Sequence, residues 1–438
     1  MTPAPESPQR RLRVAVVVQR YGLEVNGGAE AHARLFVERV RPVHDVTVLT
    51  TRAKDYTAWD DFYPAGDGKV DGTPVIRFDH PRRGHCGRAR VARRHLLRYW
   101  LDSLFTRLRW PRVAHRAGNP ATDGEDFLER QGPFCPALVQ HVAAAQGRYD
   151  VMVFFTALYY PTAVGLPACP VPTVLVPTLH NERAMYQPVY RDVFTRAAWV
   201  LWNCSAEQQL ASKLYGDGVA AGTVCGVGIE TPQVDPAARR AFLQRLGIDA
   251  PYFLFVGRIS RSKGFGTLVR AFARFSSRHG GGIKLLVLGQ GFMDTLPQHP
   301  HLVYGGFVGD AERDALMAGA LATVVTSKHE SLSLVTLESM AMETPVIVNG
   351  RSDVLQAHVD DSGCGVAYGL GGLAAAFSGF VALSDDERRA MGRRGKAYVQ
   401  RQYSWPRVQQ AWLEALQRTA LPPRAAVSAV AEREGADT

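Results

Sequence analysis

The sequence predicts an α/β protein made of two doubly wound domains that face a cleft. Three observations carry this expectation. The chain has 438 residues, too many for one ordinary core and suited to two large domains. Short, mostly apolar runs alternate with amphipathic stretches, the pattern of buried parallel strands joined by helices. That alternation occurs twice, in separate halves of the chain, and no short internal repeat accompanies it.

The first half opens with a strand over Leu12–Val18, a glycine-bearing loop, a helix around Ala29–Val40 and a strand over Val46–Thr50. Further on, no charged residue occurs from Val151 to Leu179. A membrane span is a poor reading of this stretch, because Pro161, Pro167, Pro170, Pro172, Pro177 and Gly165 would break the helix too often. Two short buried strands, Val151–Phe155 and Val171–Val176, with a turn or short helix between them, fit better. The second half repeats the theme. Strands are expected over Tyr252–Val256, Lys284–Leu288, Leu321–Val325 and Pro345–Val348, with helices over Phe265–His279 and near Ser333–Met342. The breaks at Thr231, Pro232, Asp235 and Pro236 put the boundary between Gly228 and Pro251. The expected plan is a first domain over 12–230, a second over 231–402, a terminal helix over 403–420, and disordered tails at 1–11 and 421–438.

Composition narrows the function class only in part. Hydrophobic residues make up 46% and charged residues 21%, ordinary values for a globular chain. The net charge of +10, from 51 basic and 41 acidic residues, favours anionic partners without choosing among them. The six cysteines are scattered without a CxxC pair, which fits neither a disulfide framework nor a zinc site and suits a reducing cytosol. No apolar run precedes Leu12, so no signal peptide is expected and the localisation expected is cytoplasmic. The segment 82–116 stands apart, with eleven arginines, one acid and an apolar stripe through Leu97, Leu101, Phe105 and Leu108. It reads as a helix packed on the first domain with a solvated basic face, or as a basic amphipathic helix resting on an anionic membrane surface at its inner face. No nucleic-acid motif accompanies the charge, and no nucleic-acid partner is expected.

The residues that carry chemistry cluster at expected strand ends. Glu330 and Glu338 are separated by seven residues, at the start of a helix that follows a buried strand. Between them the free N–H groups of the first helical turn, near Ser333 and Leu334, offer an anion site suited to a diphosphate. Carboxylates beside a diphosphate would repel it, so each makes sense facing hydroxyls, one set on a sugar and one on a ribose. Two exposed glutamates on an amphipathic helix remain the plain alternative. Arg258 and Lys263 follow the strand Tyr252–Val256, at the sheet edge where α/β ligands bind. Two fixed cations there can stabilise a departing diphosphate without a metal, or they are simply surface residues of a polar loop. Gly27 and Gly28 open the first helix and let backbone approach a ligand. His180 stands just past another strand end, as a site residue or a structural histidine.

Taken together, these pieces resemble family-4 retaining glycosyltransferases of the GT-B fold, with two Rossmann-like domains. The matching motifs are Gly27-Gly28-Ala29-Glu30, Val256-Gly257-Arg258 with Lys263-Gly264, Val287-Leu288-Gly289-Gln290-Gly291, Gly306-Phe307-Val308, and the glutamate pair leading into Thr344-Pro345-Val346. They run from about residue 12 to about residue 410. Gln131-Gly132-Pro133, Tyr159-Tyr160-Pro161-Thr162 and the stretch 177–182 resemble a bacterial subgroup found among polysaccharide-assembly genes. The segment Tyr403-Ser404-Trp405 is similar to the family's closing helix, which crosses back to the first domain.

The resemblance implies roles by position. Glu330 would contact the donor sugar and stabilise an oxocarbenium-like state, and His180 would contact the same sugar. Glu338 would hold the ribose. Arg258 and Lys263 would bind the diphosphate of a nucleotide-sugar donor, helped by backbone at Gly27, Gly28, Ser333 and Leu334. The acceptor would be a glycan, a lipid-linked or a small molecule. The family transfers with retention of configuration and needs no enzyme nucleophile. No Asp-x-Asp motif is present, so no metal and no cofactor are expected. The family's Gly-Phe-Gly after the first glutamate reads Ser331-Leu332-Ser333 here, its Ala-Asp reads Ala320-Leu321, and its Pro-Ser reads Thr326-Ser327. The rival readings are a catalytically silent protein of the same fold that binds a glycan or partner, and a nucleotide-sugar epimerase.

Overall fold

The computed structural model describes residues 10–56, 59–81, 100, 123–280, 282–291 and 295–420, with side chains of 123–126 excepted. The expectations for the basic segment 82–116, apart from Trp100, and for the two tails fall outside the described residues.

Two separate sheets form, as the doubled alternation requires. The first has eight strands in the order β3-β4-β2-β1-β5-β6-β7-β8. Its central strands are β1 (Arg13–Val17), β2 (Asp45–Thr51), β5 (Val151–Phe155) and β6 (Thr173–Val176). At one edge, β3 (Gly66–Val70) and β4 (Thr73–Phe78) pair antiparallel. The other edge is β7 (Trp199–Trp202) and β8 (Gly222–Val224). The second sheet has six parallel strands in the order β11-β10-β9-β12-β13-β14. These are β9 (Tyr252–Val256), β10 (Lys284–Leu288), β11 (Leu302–Gly306), β12 (Thr323–Val325), β13 (Val346–Asn349) and β14 (Gly365–Tyr368).

The expected strands over 151–155, 252–256 and 284–288 have those bounds, because uninterrupted apolar runs leave no choice of register when both faces are buried. The strand expected from Val171 begins at Thr173, past Pro170 and Pro172, which have no N–H to give the ladder. The strand expected from Leu321 likewise begins at Thr323. Between β5 and β6 the proline-rich stretch is a buried helix, Tyr160–Ala168. Pro161 occupies its first turn, where a missing N–H costs nothing, and Pro167 lies in its last. The hairpin β3–β4 was not expected: β3 is polar and exposed, and β4, although its alternate residues are buried, is a short run of mixed polarity that carries Pro74. Among the described residues no helix is long and apolar enough to cross a membrane.

One buried apolar cluster joins the two domains. It includes Val16 of β1, Phe36 of the first helix, Val227, Leu337, Tyr403 and Trp412. The last helix, Trp405–Ala420, belongs to the second half by sequence and packs on the first domain by contact. Trp412 is fully buried, with its ring 5.6 Å from His32 and 5.1 Å from Phe36. Gln409 Nε2 donates to the Arg39 carbonyl at 3.1 Å. The segment joining the sheets lies under this crossing: Ile229 N donates to the Tyr403 carbonyl at 2.7 Å. A Cβ on Gly228 would sit 2.2 Å from the Trp405 ring, so only glycine fits there. Truncating Trp412→Ala should therefore cost about 3–5 kcal/mol of stability, read as a shift in the urea midpoint. A loss below about 1 kcal/mol would show that this contact does not fasten the closing helix.

Candidate active site

Two neighbouring strands, β9 and β12, deliver the charged residues. Each ends at the same edge of the second sheet, and each runs into a loop and then a helix. After β9 the loop 257–264 leads to the helix Phe265–Arg278. After β12 the loop 326–333 leads to the helix Leu334–Ala341. The loops are stitched together. Gly264, at φ +72°, approaches so closely that a Cβ there would lie 2.6 Å from the Thr326 carbonyl oxygen. Thr326 Oγ1 donates to the Lys263 carbonyl at 2.6 Å. This docking brings Lys263 Nζ within 2.6 Å of Glu330 Oε1.

The helix start beside this pair has no side-chain cap. Ser333 occupies the N-cap in the left-handed region, φ 63° and ψ 71°, and its hydroxyl bonds Thr336 Oγ1 at 2.8 Å. The Thr336 N–H bonds the Ser333 carbonyl at 2.9 Å, and the N–H groups of Leu334 and Val335 are left, among the described residues, for another partner. In the second turn of the helix, burial pushes the Glu338 carboxyl up, while Arg313 at 3.8 Å pulls it down. Burial works against the Arg313 cation, but Glu338, Asp314 and Asp310 outweigh it and hold its pKa above the ordinary value. Arg313 is anchored by Asp314 at 2.8 Å.

These groups converge on one cavity of about 340 Å³. Lys263, Glu330, Ser333, Leu334 and Glu338 line it from the second domain, and Gly28 lines it from the first. His180 lies on a second cavity of about 350 Å³, which shares Glu330 as part of its wall. Gly27 and Arg258 line neither. Gly27 precedes the first helix and packs against the Glu30 carboxylate. Glu30 is itself in a buried ion pair with Arg20 at 2.5 Å. The Arg258 guanidinium stacks over the Tyr56 ring of the first domain, 5.1 Å from its centroid, so its charge is turned across the domain boundary.

Three residues that sequence reasoning passed over hold this arrangement. Arg313 supports Glu338 as described; it precedes Glu338 by 25 positions on another helix, which leaves no local pattern to find. Glu207, buried in the first turn of the helix Ser205–Tyr215, receives N–H bonds from Leu179 at 2.5 Å and from Asn203 at 2.6 Å and 3.1 Å. It thereby fixes the backbone next to His180. Burial pushes its carboxyl up to about 8 against the pull of those donors. In sequence it resembles an ordinary acidic residue of a first helical turn. His358 reaches the loop after Glu330 from behind. Its Nε2 lies 2.8 Å from the Leu332 carbonyl, and its Nδ1 lies 3.0 Å from the Tyr398 hydroxyl. A carbonyl only accepts, so Nε2 carries the proton and Nδ1 accepts from the tyrosine. Cys204 Sγ of the first domain lies 3.6 Å from the Ser331 carbonyl. Nothing in the apolar pattern of 353–362 marks His358 as reaching that far.

Two predictions follow from this geometry. Burial lowers the pKa values of His32, His329 and His358 from 6.5 to about 3, 4 and 4, so each is neutral in the fold. The unfolded chain takes up those protons near pH 6.5, and below that pH it binds more protons than the fold. Stability should fall as pH drops from about 6.5 to about 4, with a shallower slope in His358→Gln, checked by urea unfolding across that range. The strained Ser333 gives the second. Ser333→Gly should stabilise by about 0.5–1 kcal/mol, whereas Ser333→Val should destabilise by more than about 1 kcal/mol, because a β-branched residue tolerates that conformation least.

Residues 250–379 match the family model described as glycosyl transferases group 1. The chain is 33% identical over 255 residues to a D-inositol 3-phosphate glycosyltransferase of Kineococcus radiotolerans, covering 51% of this chain and 58% of that protein. It is 31% identical over 213 residues to a glycogen synthase of Mycobacterium tuberculosis, covering 46% and 49%. The chain thus spans about half the length of the curated relatives it matches. Among solved structures, sucrose-phosphate synthase from Thermosynechococcus elongatus aligns with a TM-score of 0.65 at 18% identity, over 93% of this chain and 99% of that one. Anabaena HepE in complex with UDP and glucose aligns at 0.63 and 15%, over 93% and 99%. The chain therefore has the two-domain GT-B fold of these structures, and residues 250–379 within its second domain match the group 1 model.

Proposed function

We propose that this chain is a retaining glycosyltransferase of family-4 type. It moves a sugar from a nucleotide-diphosphate sugar to a glycan, lipid-linked or small-molecule acceptor, without a metal. The observation that carries the reading is the order of groups along one cavity. Along the loop and helix that line it, Glu330 with its partner Lys263 comes first, the uncapped N-terminus of Leu334–Ala341 next, and Glu338 with Arg313 after it. That order matches a sugar, a diphosphate and a ribose.

In this mechanism the diphosphate sits at the helix start, where oriented N–H groups and the helix dipole favour negative charge. Lys263 exchanges the Glu330 carboxylate for a phosphate oxygen and stabilises the charge that grows as the sugar–oxygen bond breaks. Glu330, released from the lysine, accepts from sugar hydroxyls and favours the positive charge developing at the anomeric carbon. Glu338 accepts from the ribose hydroxyls, with Arg313 beside it opposing the effect of burial on its carboxyl. His180 contacts the transferred sugar, its loop held by Glu207. The acceptor hydroxyl attacks from the face that the phosphate leaves. Gly27 and Gly28 bring first-domain backbone to the donor. Arg258 reaches the diphosphate after leaving the Tyr56 ring. The work of the protein is alignment across a closing cleft. The proposal includes action at the cytoplasmic face of a membrane, reached through 82–116 and tested by salt-sensitive binding to anionic liposomes.

A thermal-shift and hydrolysis screen against UDP-, GDP-, ADP- and dTDP-sugars tests the core of this reading. One donor should stabilise the protein and be slowly hydrolysed, with configuration retained in the transfer product. Glu330→Ala and Lys263→Ala should each lower turnover about 100-fold. Isomerisation of the donor without transfer would indicate an epimerase. No stabilisation by any donor would indicate a silent binding protein.

A further inference from the structure

The cavity that holds His180 carries charge that the donor reading does not use. It is about 350 Å³, within the range of small-ligand sites. His180 and Glu330 belong to one side of it. Lys328 precedes Glu330 on the loop after β12, and the turn after β13 adds Arg351 and Ser352. The cavity's carboxylates already have partners. Glu330 is paired with Lys263 at 2.6 Å, and Glu207 receives three N–H bonds. Asp353 acts on Lys213 of the first domain, raising its pKa against a stronger lowering by burial. The Arg351 guanidinium is different: among the described residues only its backbone N–H is bonded, to Asn349 Oδ1 at 3.1 Å. Lys328 adds a second cation to the wall, and the neighbouring His329 is neutral through burial. Ser352 caps the helix Asp353–Ser362, so a positive helix end faces the same turn.

A site for a neutral sugar needs hydroxyl partners and no spare cation. A half-buried guanidinium without a carboxylate offers a two-pronged donor matched to a carboxylate or phosphate. We propose that this cavity binds a sugar bearing an anionic group, with that group against Arg351 and Lys328. The inference rests on reading the neighbouring cavity as the donor nucleotide site, because Glu330 then places the second cavity where the transferred sugar and the acceptor meet. The anionic group belongs either to the donor's sugar, as a uronic acid, or to the acceptor, as a sugar phosphate.

The test is a set of binding titrations on the full chain and on Arg351→Gln and Arg351→Lys. The probes are UDP-glucose against UDP-glucuronic acid, and glucose against glucose 6-phosphate and glucuronate, each with and without UDP. At least one charged probe should bind the wild type about tenfold or more tightly than its neutral counterpart. Arg351→Gln should abolish that preference and Arg351→Lys should keep part of it, with UDP affinity and melting temperature unchanged in both. Preference for UDP-glucuronic acid assigns the charge to the donor, and preference for glucose 6-phosphate assigns it to the acceptor. Equal binding of charged and neutral probes overturns the proposal, as does a preference that survives Arg351→Gln. Failure of UDP to bind counts against the donor reading instead; the free sugars then still decide the cavity.

Discussion

A lysine ammonium and a glutamate carboxylate, 2.6 Å apart at the junction of two loops, set the geometry of this cleft. Their contribution to stability is modest, because Lys263 keeps 30% of its side chain exposed and an ion pair in that setting contributes about 1 kcal/mol or less. Their importance is positional. The pair can form only because Gly264 lies against the Thr326 carbonyl and Thr326 reaches back to Lys263. Side chain and backbone thus specify the same docking of two loops that are 67 positions apart. Once the loops are docked, the helix start at Ser333 and the carboxylate of Glu338 fall on the same side as the lysine.

The loop is also held from behind, and the holders come from both domains. His358 and Cys204 bond successive carbonyls, those of Leu332 and Ser331. The Leu332 carbonyl sets the His358 tautomer and the Tyr398 hydroxyl completes it by donating to Nδ1, and the Tyr398 ring is 5.7 Å from that of Tyr403. Tyr403 is where the chain crosses between domains and where Ile229 of the connecting segment is bonded. The apolar cluster that includes Tyr403 and Trp412 also includes Leu332 and Leu337. A change in the angle between the domains would therefore act on the same buried groups that fix the loop after Glu330. This is a physical route for coupling closure to the site, because packed interiors shift between discrete arrangements more readily than they stretch.

Much of this was legible in the sequence. Buried parallel strands announce themselves by uninterrupted apolar runs, and strand ends followed by glycine and charge locate the sheet edge where ligands bind. On those two signals rested the placement of Lys263, Glu330 and Glu338, which do line one cavity. The hairpin β3–β4, a polar exposed strand beside a short half-buried one, has no uninterrupted apolar run. Residues whose role depends on contact between distant elements were equally hidden. Arg313, Glu207 and His358 each act through a partner on another segment, and single-sequence periodicity carries no information on such pairs. Arg258 shows the converse. Its position at the strand end is the expected one, yet its direction is set by Tyr56, an aromatic ring on the other domain.

The loop Ser331-Leu332-Ser333 ties these points together. Three residues without a glycine sit where the backbone must turn sharply into a helix, and Ser333 adopts a left-handed conformation that a side chain disfavours by about 1–2 kcal/mol. Strain of that size persists only where the surroundings over-determine the backbone. Here they do: a histidine and a cysteine bond the two carbonyls ahead of it, Leu332 is buried, and the Ser333 hydroxyl is taken up by Thr336. A glycine loop would reach the same shape with less strain and more freedom. The serine loop has less freedom to lose on meeting a ligand, so the N–H groups beside Glu330 are aligned beforehand. The external bonds to Ser331 and Leu332 hold the backbone in the shape that strains Ser333.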